Sequence, residues 1–257
     1  MLRGVAKVDR VRGWTVLAFW SLSLVVISPM LFALFLLLRR KRILYAPARF
    51  FIRIGLRLGG VRFHVQGAEK LDPHQTYLFL SNHQSLLDPL IQLVGLRRDL
   101  AFLAKRELFR WPLLNWGLRW MDCAPIDRSD RERTVESLRQ AAEKLKRGVS
   151  FLAYPEGTRT PDGTLLPFRK GAFLLALDAG VPIVPVTILG AYEVMPKGPL
   201  RCRPGHVRVV VHEPIPVLAF SAGNFDALIA AVRRAIASAL PDSDVRRRTC
   251  LARSTLT

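Results

Sequence analysis

Two short stretches carry side chains able to do chemistry. In SNHQSLLDPL (residues 81–90), His83 precedes Asp88 by five positions. Imidazole is the side chain whose ordinary pKa, about 6.5, lies near neutral pH, so it suits the role of base toward a hydroxyl group. A carboxylate that accepts from one ring nitrogen leaves the other to take a proton. Five residues on an ideal helix diverge by about 140°, so a regular helix would not pair His83 with Asp88. A strand end turning into a helix would: His83 sits on the turn, and Asp88 points back from the first helical turns. In YPEGTRT (154–160), Pro155 ends a strand and Gly157 permits a tight turn. Arg159 offers a planar fork suited to phosphate, and Glu156 could orient that arginine or hold a substrate hydroxyl. Each stretch alone also reads as plain structure: an isolated His–Asp pair, and a turn with a solvated charge pair.

Both stretches follow apolar, β-rich runs. Such runs are VRFHVQG (61–67), TYLFLS (76–81), LAFLA (100–104), SFLAY (150–154), IVPVTIL (183–189) and VRVVVH (207–212). Helical stretches lie between them. Ser129 and Glu132 form a capping-box pattern ahead of a helix that Gly148 would end. Residues 225–239 form another, between Asn224 and Pro241. This alternation predicts an α/β domain with a central mixed sheet covered by helices.

Ahead of that domain, residues 14–38 hold no charge in 25 positions. As a helix the run reaches roughly 37 Å, against a hydrocarbon core of about 30 Å. It is too long for a cleaved signal peptide, and the basic cluster RRKR (39–42) replaces a small-residue cleavage site. Pro29 either kinks one spanning helix or divides a re-entrant hairpin. The basic cluster favours a cytoplasmic location for the domain after it. In ARFFIRIGLRLG (48–59), after Pro47, Arg49, Arg53 and Arg57 share one helical stripe. Such a helix could lie at a membrane interface with its arginines on lipid phosphates, or pack on the domain.

The chain carries 39 Lys/Arg and 20 Asp/Glu, a net charge of +19. Residues 1–57 hold eleven of these cations and one acidic residue, so charge density is greatest beside the most apolar segment. The expected partner is therefore membrane phospholipid rather than nucleic acid, for which no zinc-finger or aromatic RNA-binding pattern exists. With 50% hydrophobic residues the chain is not disordered. The expected division is a membrane anchor and interfacial helix over 1–59, a catalytic domain over 60–243, and a basic tail over 244–257.

Taken together, NHQSLLD (82–88) and YPEGTRT strongly resemble the first and third motifs of the glycerophospholipid acyltransferase family, above all its 1-acyl-sn-glycerol-3-phosphate acyltransferases. PIDR (125–128) and VPIVPV (181–186) resemble the second and fourth blocks, and AKREL (104–108) the basic segment between the first two. The resemblance covers about residues 60–215. Tyr154 stands where Phe is common and Thr160 where Ser is common, while MDCA before PIDR is more polar than the usual strand.

The resemblance implies transfer of a fatty acyl group from a thioester to the sn-2 hydroxyl of lysophosphatidic acid, giving phosphatidic acid. His83 would be the base and Asp88 its partner. Lys105, Arg128 and Arg159 would surround the acceptor phosphate, with Gly157 and Thr158 as donors and Glu156 among the substrate-binding residues. Pro182 and Pro185 would shape an acyl-binding wall. No G-x-S-x-G elbow is present to form an acyl-enzyme. No metal or other cofactor is implied, and His64, His74, His206 and His212 lack ligand spacing. The donor is acyl-CoA or acyl-carrier protein. Two other readings stand beside this one: a related acyltransferase with another lysolipid or glycerol-3-phosphate as acceptor, and a non-catalytic, membrane-anchored binder of anionic lipid.

Overall fold

The computed structural model describes residues 2–38, 42–127, 129–220 and 224–242. Arg128, residues 39–41 of the RRKR cluster and the basic tail 244–257 lie outside the described residues.

Seven strands form one sheet: β1 (Val61–Gln66), β2 (Leu78–Ser81), β3 (Leu100–Lys105), β4 (Ala124–Ile126), β5 (Ser150–Ala153), β6 (Ile183–Leu189) and β7 (Gly205–Val211). Their order is β1-β7-β6-β2-β5-β3-β4. Only β6 and β7 run antiparallel; the other pairs are parallel, so the sheet is mixed as expected. β4 is a short strand that the alternation of apolar runs did not reveal.

Central strands buried on both faces read as nearly continuous apolar runs. On β2, Phe79 packs to one side while Leu78 and Leu80 pack to the other. The first side is covered by α2 (Arg42–Leu58) and α3 (Asp88–Gly95), through Leu56, Ile91 and Leu93. The second is covered by α5 (Arg131–Lys146), α6 (Gly171–Ala179) and α8 (Phe225–Ser238), through Ala141, Leu145, Phe173, Leu228 and Val232. Two further α-helices are α4 (Pro112–Trp120) and α7 (Ala191–Val194). The cap of α5 differs from the Ser129–Glu132 pattern. Asp130 is the N-cap and accepts from the Arg133 amide at 3.0 Å, while Ser129 Oγ donates to Asp127 at 2.6 Å.

The N-terminal apolar run forms one helix, α1 (Leu2–Leu38), which continues through Pro29 rather than dividing there. Residues 7–27 of it are long and apolar enough to cross a membrane. α2 begins five residues before Pro47 rather than after it, and it runs antiparallel to α1. Trp20 Nε1 donates to the Phe51 carbonyl at 3.2 Å, and Val16 meets Gly59. Gly55 makes this crossing possible, since a Cβ there would fall 2.0 Å from Trp20 Nε1. The start of α1 is stapled to the domain: buried Asp9 accepts from Arg203 Nε at 3.2 Å, and the Cys202 amide donates to the Asp9 carbonyl at 3.0 Å. Arg49 faces inward, with its guanidinium 2.8 Å from Asp99 and donating to the Leu93 carbonyl. That arginine therefore serves the packing of α2 on the domain, while Arg53 and Arg57 remain exposed.

Candidate active site

Because β2, β5, β3 and β4 are adjacent and parallel, their carboxyl ends share one edge of the sheet. In open α/β sheets that edge is where ligands bind. Four segments singled out in the sequence leave from it: 82–88 after β2, 104–108 at the end of β3, the described residues 125–127 of PIDR through β4, and 154–160 after β5.

His83 sits in the turn after β2, and Asp88 is the first residue of α3. Asp88 Oδ2 lies 2.7 Å from His83 Nδ1 and accepts from the Gln84 and Ser85 amides at 2.7 Å each. The carboxylate is fully buried and sits at a helix start, where backbone amides and the helix dipole favour negative charge. With Nδ1 engaged, Nε2 is the ring nitrogen left to exchange a proton.

The two motifs grip each other through the His83 backbone. Its amide donates to Glu156 Oε1 at 2.8 Å, and its carbonyl accepts from the Thr160 amide at 2.8 Å. The second Glu156 oxygen accepts from the Leu166 amide at 3.0 Å. Glu156 is buried and bridges two backbone segments. It neither pairs with Arg159 nor lines the cavity onto which His83 opens, so the expectation that it binds substrate is corrected: it holds the turn that carries His83.

Burial pushes the Glu156 carboxyl up to about 8, aided by the nearby Asp88 carboxylate and opposed by the two amides and by Arg233. A folded-state pKa raised above the ordinary value means stability that is full below about 4.5 and lost as pH rises through about 8. Glu156→Gln cannot ionise and accepts with only one atom. The wild type is therefore expected to melt above Glu156→Gln at pH 5, with the gap narrowing by pH 9. A gap independent of pH, measured by thermal melts across that range, contradicts this.

The imidazole also stacks on Tyr154, with ring centroids 4.0 Å apart and planes at 17°. Tyr154 Oη donates to Gln92 Oε1 at 2.7 Å, and Gln92 Nε2 donates to Ser81 Oγ at 2.6 Å. Burial, together with Asp88, raises the Tyr154 phenol well above its ordinary value, so it stays a neutral donor. Asn82 ties the same turn to β6, accepting from the Ile188 amide at 2.8 Å and donating to its carbonyl at 2.9 Å. Gln92 lies four residues after Asp88, one helical turn on, which is the signal that could have found it.

His83 opens onto a cavity of about 1170 Å³. Its far walls are apolar: Trp20, Leu24 and Ile27 of α1, Phe51 and Ile52 of α2, and Leu113, Leu114 and Trp116 of α4. Its polar wall holds Lys105, Gly157, Thr158 and Arg159, all expected from the sequence, together with Arg169 and Lys197, which were not. Lys105 lies 3.1 Å from Glu107. Pro182 and Pro185 belong to the β6 region of the sheet and do not line the cavity.

The acyltransferase family pattern matches residues 62–189. The solved 1-acyl-sn-glycerophosphate (LPA) acyltransferase PlsC of Thermotoga maritima superposes with a TM-score of 0.79 at 30% identity, covering 89% of this chain and 92% of that one. The chain belongs to the acyltransferase family. Among curated members, it is 40% identical to the chloroplastic 1-acyl-sn-glycerol-3-phosphate acyltransferase BAT2 of Brassica napus, over 59% of this chain and 44% of that protein. It is 35% identical to the human 1-acyl-sn-glycerol-3-phosphate acyltransferase alpha, over 70% of this chain and 64% of that one. The chain thus spans about half the length of the curated plant relatives it matches. The family match contains both the His83–Asp88 turn and the 154–160 loop.

Proposed function

We propose that this acyltransferase moves a fatty acyl group from a thioester to the sn-2 hydroxyl of 1-acyl-sn-glycerol-3-phosphate, giving phosphatidic acid. The observation that carries this reading is the placement of His83, backed by a buried carboxylate, where a large apolar cavity meets a cationic wall. A lysolipid needs that combination: an apolar space for its chain, a phosphate site, and a base between them. In the proposed step His83 Nε2 takes the proton of the hydroxyl as its oxygen attacks the thioester carbonyl. The carbon–sulfur bond breaks as the tetrahedral species collapses, and the thiolate leaves with the imidazolium proton. Asp88 holds the ring and stabilises its transient positive charge. The reaction proceeds on this chain's side chains alone, with acyl-CoA or acyl-carrier protein as donor.

Residues 1–59 form the proposed membrane segment, 60–243 the catalytic domain and 244–257 a basic tail. The antiparallel arrangement of α1 and α2 supports a hairpin that dips into the bilayer and returns, with exposed Leu22, Val25, Val26 and Met30 toward lipid. The catalytic domain would then face the cytoplasm, with phospholipid and lysophosphatidic acid as its partners and no role for nucleic acid.

The test is acyl transfer by purified protein with a panel of lysolipids, glycerol-3-phosphate and both donor types. Lysophosphatidic acid is expected to be converted fastest; faster conversion of any other acceptor overturns the acceptor assignment. Within that assay Arg159→Ala removes a charge-assisted contact worth about 1.5–3 kcal/mol. It is expected to raise KM for lysophosphatidic acid by about 10–100-fold without a matching change for the donor. Unchanged acceptor kinetics in folded Arg159→Ala would remove this residue from the phosphate site.

A further inference from the structure

Two cations from other stretches of chain lie against the tripeptide Gly157–Thr158–Arg159, whose own arginine is a third. Lys197, 38 positions downstream in the segment between α7 and β7, reaches back across it: its Nζ lies 3.2 Å from Thr158 Oγ1 and 3.4 Å from the Arg159 carbonyl. Arg169, just before α6, lies against Gly157. A Cβ on Gly157 would fall 2.8 Å from Arg169 Nε, and Gly157 has φ +71°, so this close approach uses both the missing side chain and the left-handed backbone. The Arg169 amide donates to the Pro155 carbonyl at 2.8 Å, which fixes its start beside the loop. Among the described residues, none of these three cations has a carboxylate within ion-pair distance, whereas Lys105 has Glu107. All three line the His83 cavity, and Arg169 and Lys197 stand at its solvent-exposed side.

Three unneutralised cations exceed what one negative charge requires. A phosphate monoester carries about −1.5 to −2 near neutral pH and presents three terminal oxygens. A phosphodiester headgroup carries a single charge, presents two such oxygens, and brings a substituent into the same space. We infer that Lys197 and Arg169 complete with Arg159 a phosphomonoester pocket, and that these two residues make the enzyme prefer a monoester lysolipid over diester ones. The inference rests on the proposed lysophosphatidic acid acceptor and deepens that reading.

The test is equilibrium binding in detergent of two lysolipids with the same acyl chain, lysophosphatidic acid and lysophosphatidylglycerol, without acyl donor, so that no turnover occurs. The wild type is expected to bind the monoester at least about tenfold more tightly. Lys197→Gln and Arg169→Gln should each weaken monoester binding by about 10–100-fold and diester binding by less than about threefold, so the preference collapses. Lys197→Arg should retain it. A merely structural role for Lys197, holding Thr158 and the Arg159 carbonyl, would weaken both lysolipids equally, and that result overturns the inference. So does an unchanged preference in both glutamine variants, each checked for folding by circular dichroism. A wild type that binds the monoester no better than the diester overturns the acceptor reading as well; a wild type that prefers it while folded variants keep the ratio overturns this inference alone.

Discussion

Asp88→Asn is expected to lower kcat by about 10²–10³-fold, the range seen when one preorganised electrostatic partner is lost from a site. The loss should come from charge rather than from a change of tautomer. Asp88 Oδ2 faces three donors: the His83 ring nitrogen and the Gln84 and Ser85 amides. An asparagine amide group turned toward those two N–H groups would oppose donor to donor, so the carboxamide oxygen takes that position. The ring then keeps its proton on Nδ1, but the imidazolium formed during attack loses its buried anion. Asp88→Ala is a poorer probe. It leaves two buried amides unsatisfied at about 1–3 kcal/mol each, enough to loosen the turn itself. The informative comparison is turnover and melting temperature of Asp88→Asn beside the wild type. A large loss of rate with a fold that still melts cooperatively supports the role; turnover within about threefold of wild type contradicts it.

Much of this site was legible before the fold was known because its chemistry is local. His83 and Asp88 are five residues apart, and one strand–turn–helix joins them, so residue types and spacing made their pairing readable, while the roles assigned to them came from the family resemblance. The 154–160 loop was readable for the same reason, as a proline and a glycine that punctuate a strand end. The roles of Glu156, Arg169 and Lys197 were hidden because they depend on which segments meet in space. Glu156 looks like a partner for Arg159 three residues on, yet it turns inward to the His83 amide, 73 positions earlier. Lys197 acts across 38 positions and Arg169 through an approach that only a missing Cβ permits. Likewise Arg49 reads as a lipid-facing member of a regular arginine stripe, but Asp99 on the folded domain claims it. The strands were readable from apolar runs, whereas the three residues of β4 are too few to show a pattern against a polar flank.

The central claim is that His83 is the base for acyl transfer, and it is tested most directly by the turnover of His83→Ala. An alcohol ionises far above neutral pH, so its attack on a thioester requires proton removal as the new bond forms. A positioned general base contributes about 10²–10⁴-fold to such a step. His83 lies on the wall of the cavity, with Nδ1 occupied by Asp88, and within the described residues that line the cavity it is the one imidazole. Alanine also removes the stacking partner of Tyr154, so folding must be measured beside rate; His83→Gln, which keeps bulk in that space, serves as the second variant. The measurement is formation of phosphatidic acid from lysophosphatidic acid and a saturating acyl thioester, by detergent-purified full-length wild type, His83→Ala and His83→Gln. A fall in kcat of about 10²–10⁴-fold in both folded variants is the expected result, and near-wild-type turnover by either one would contradict the account.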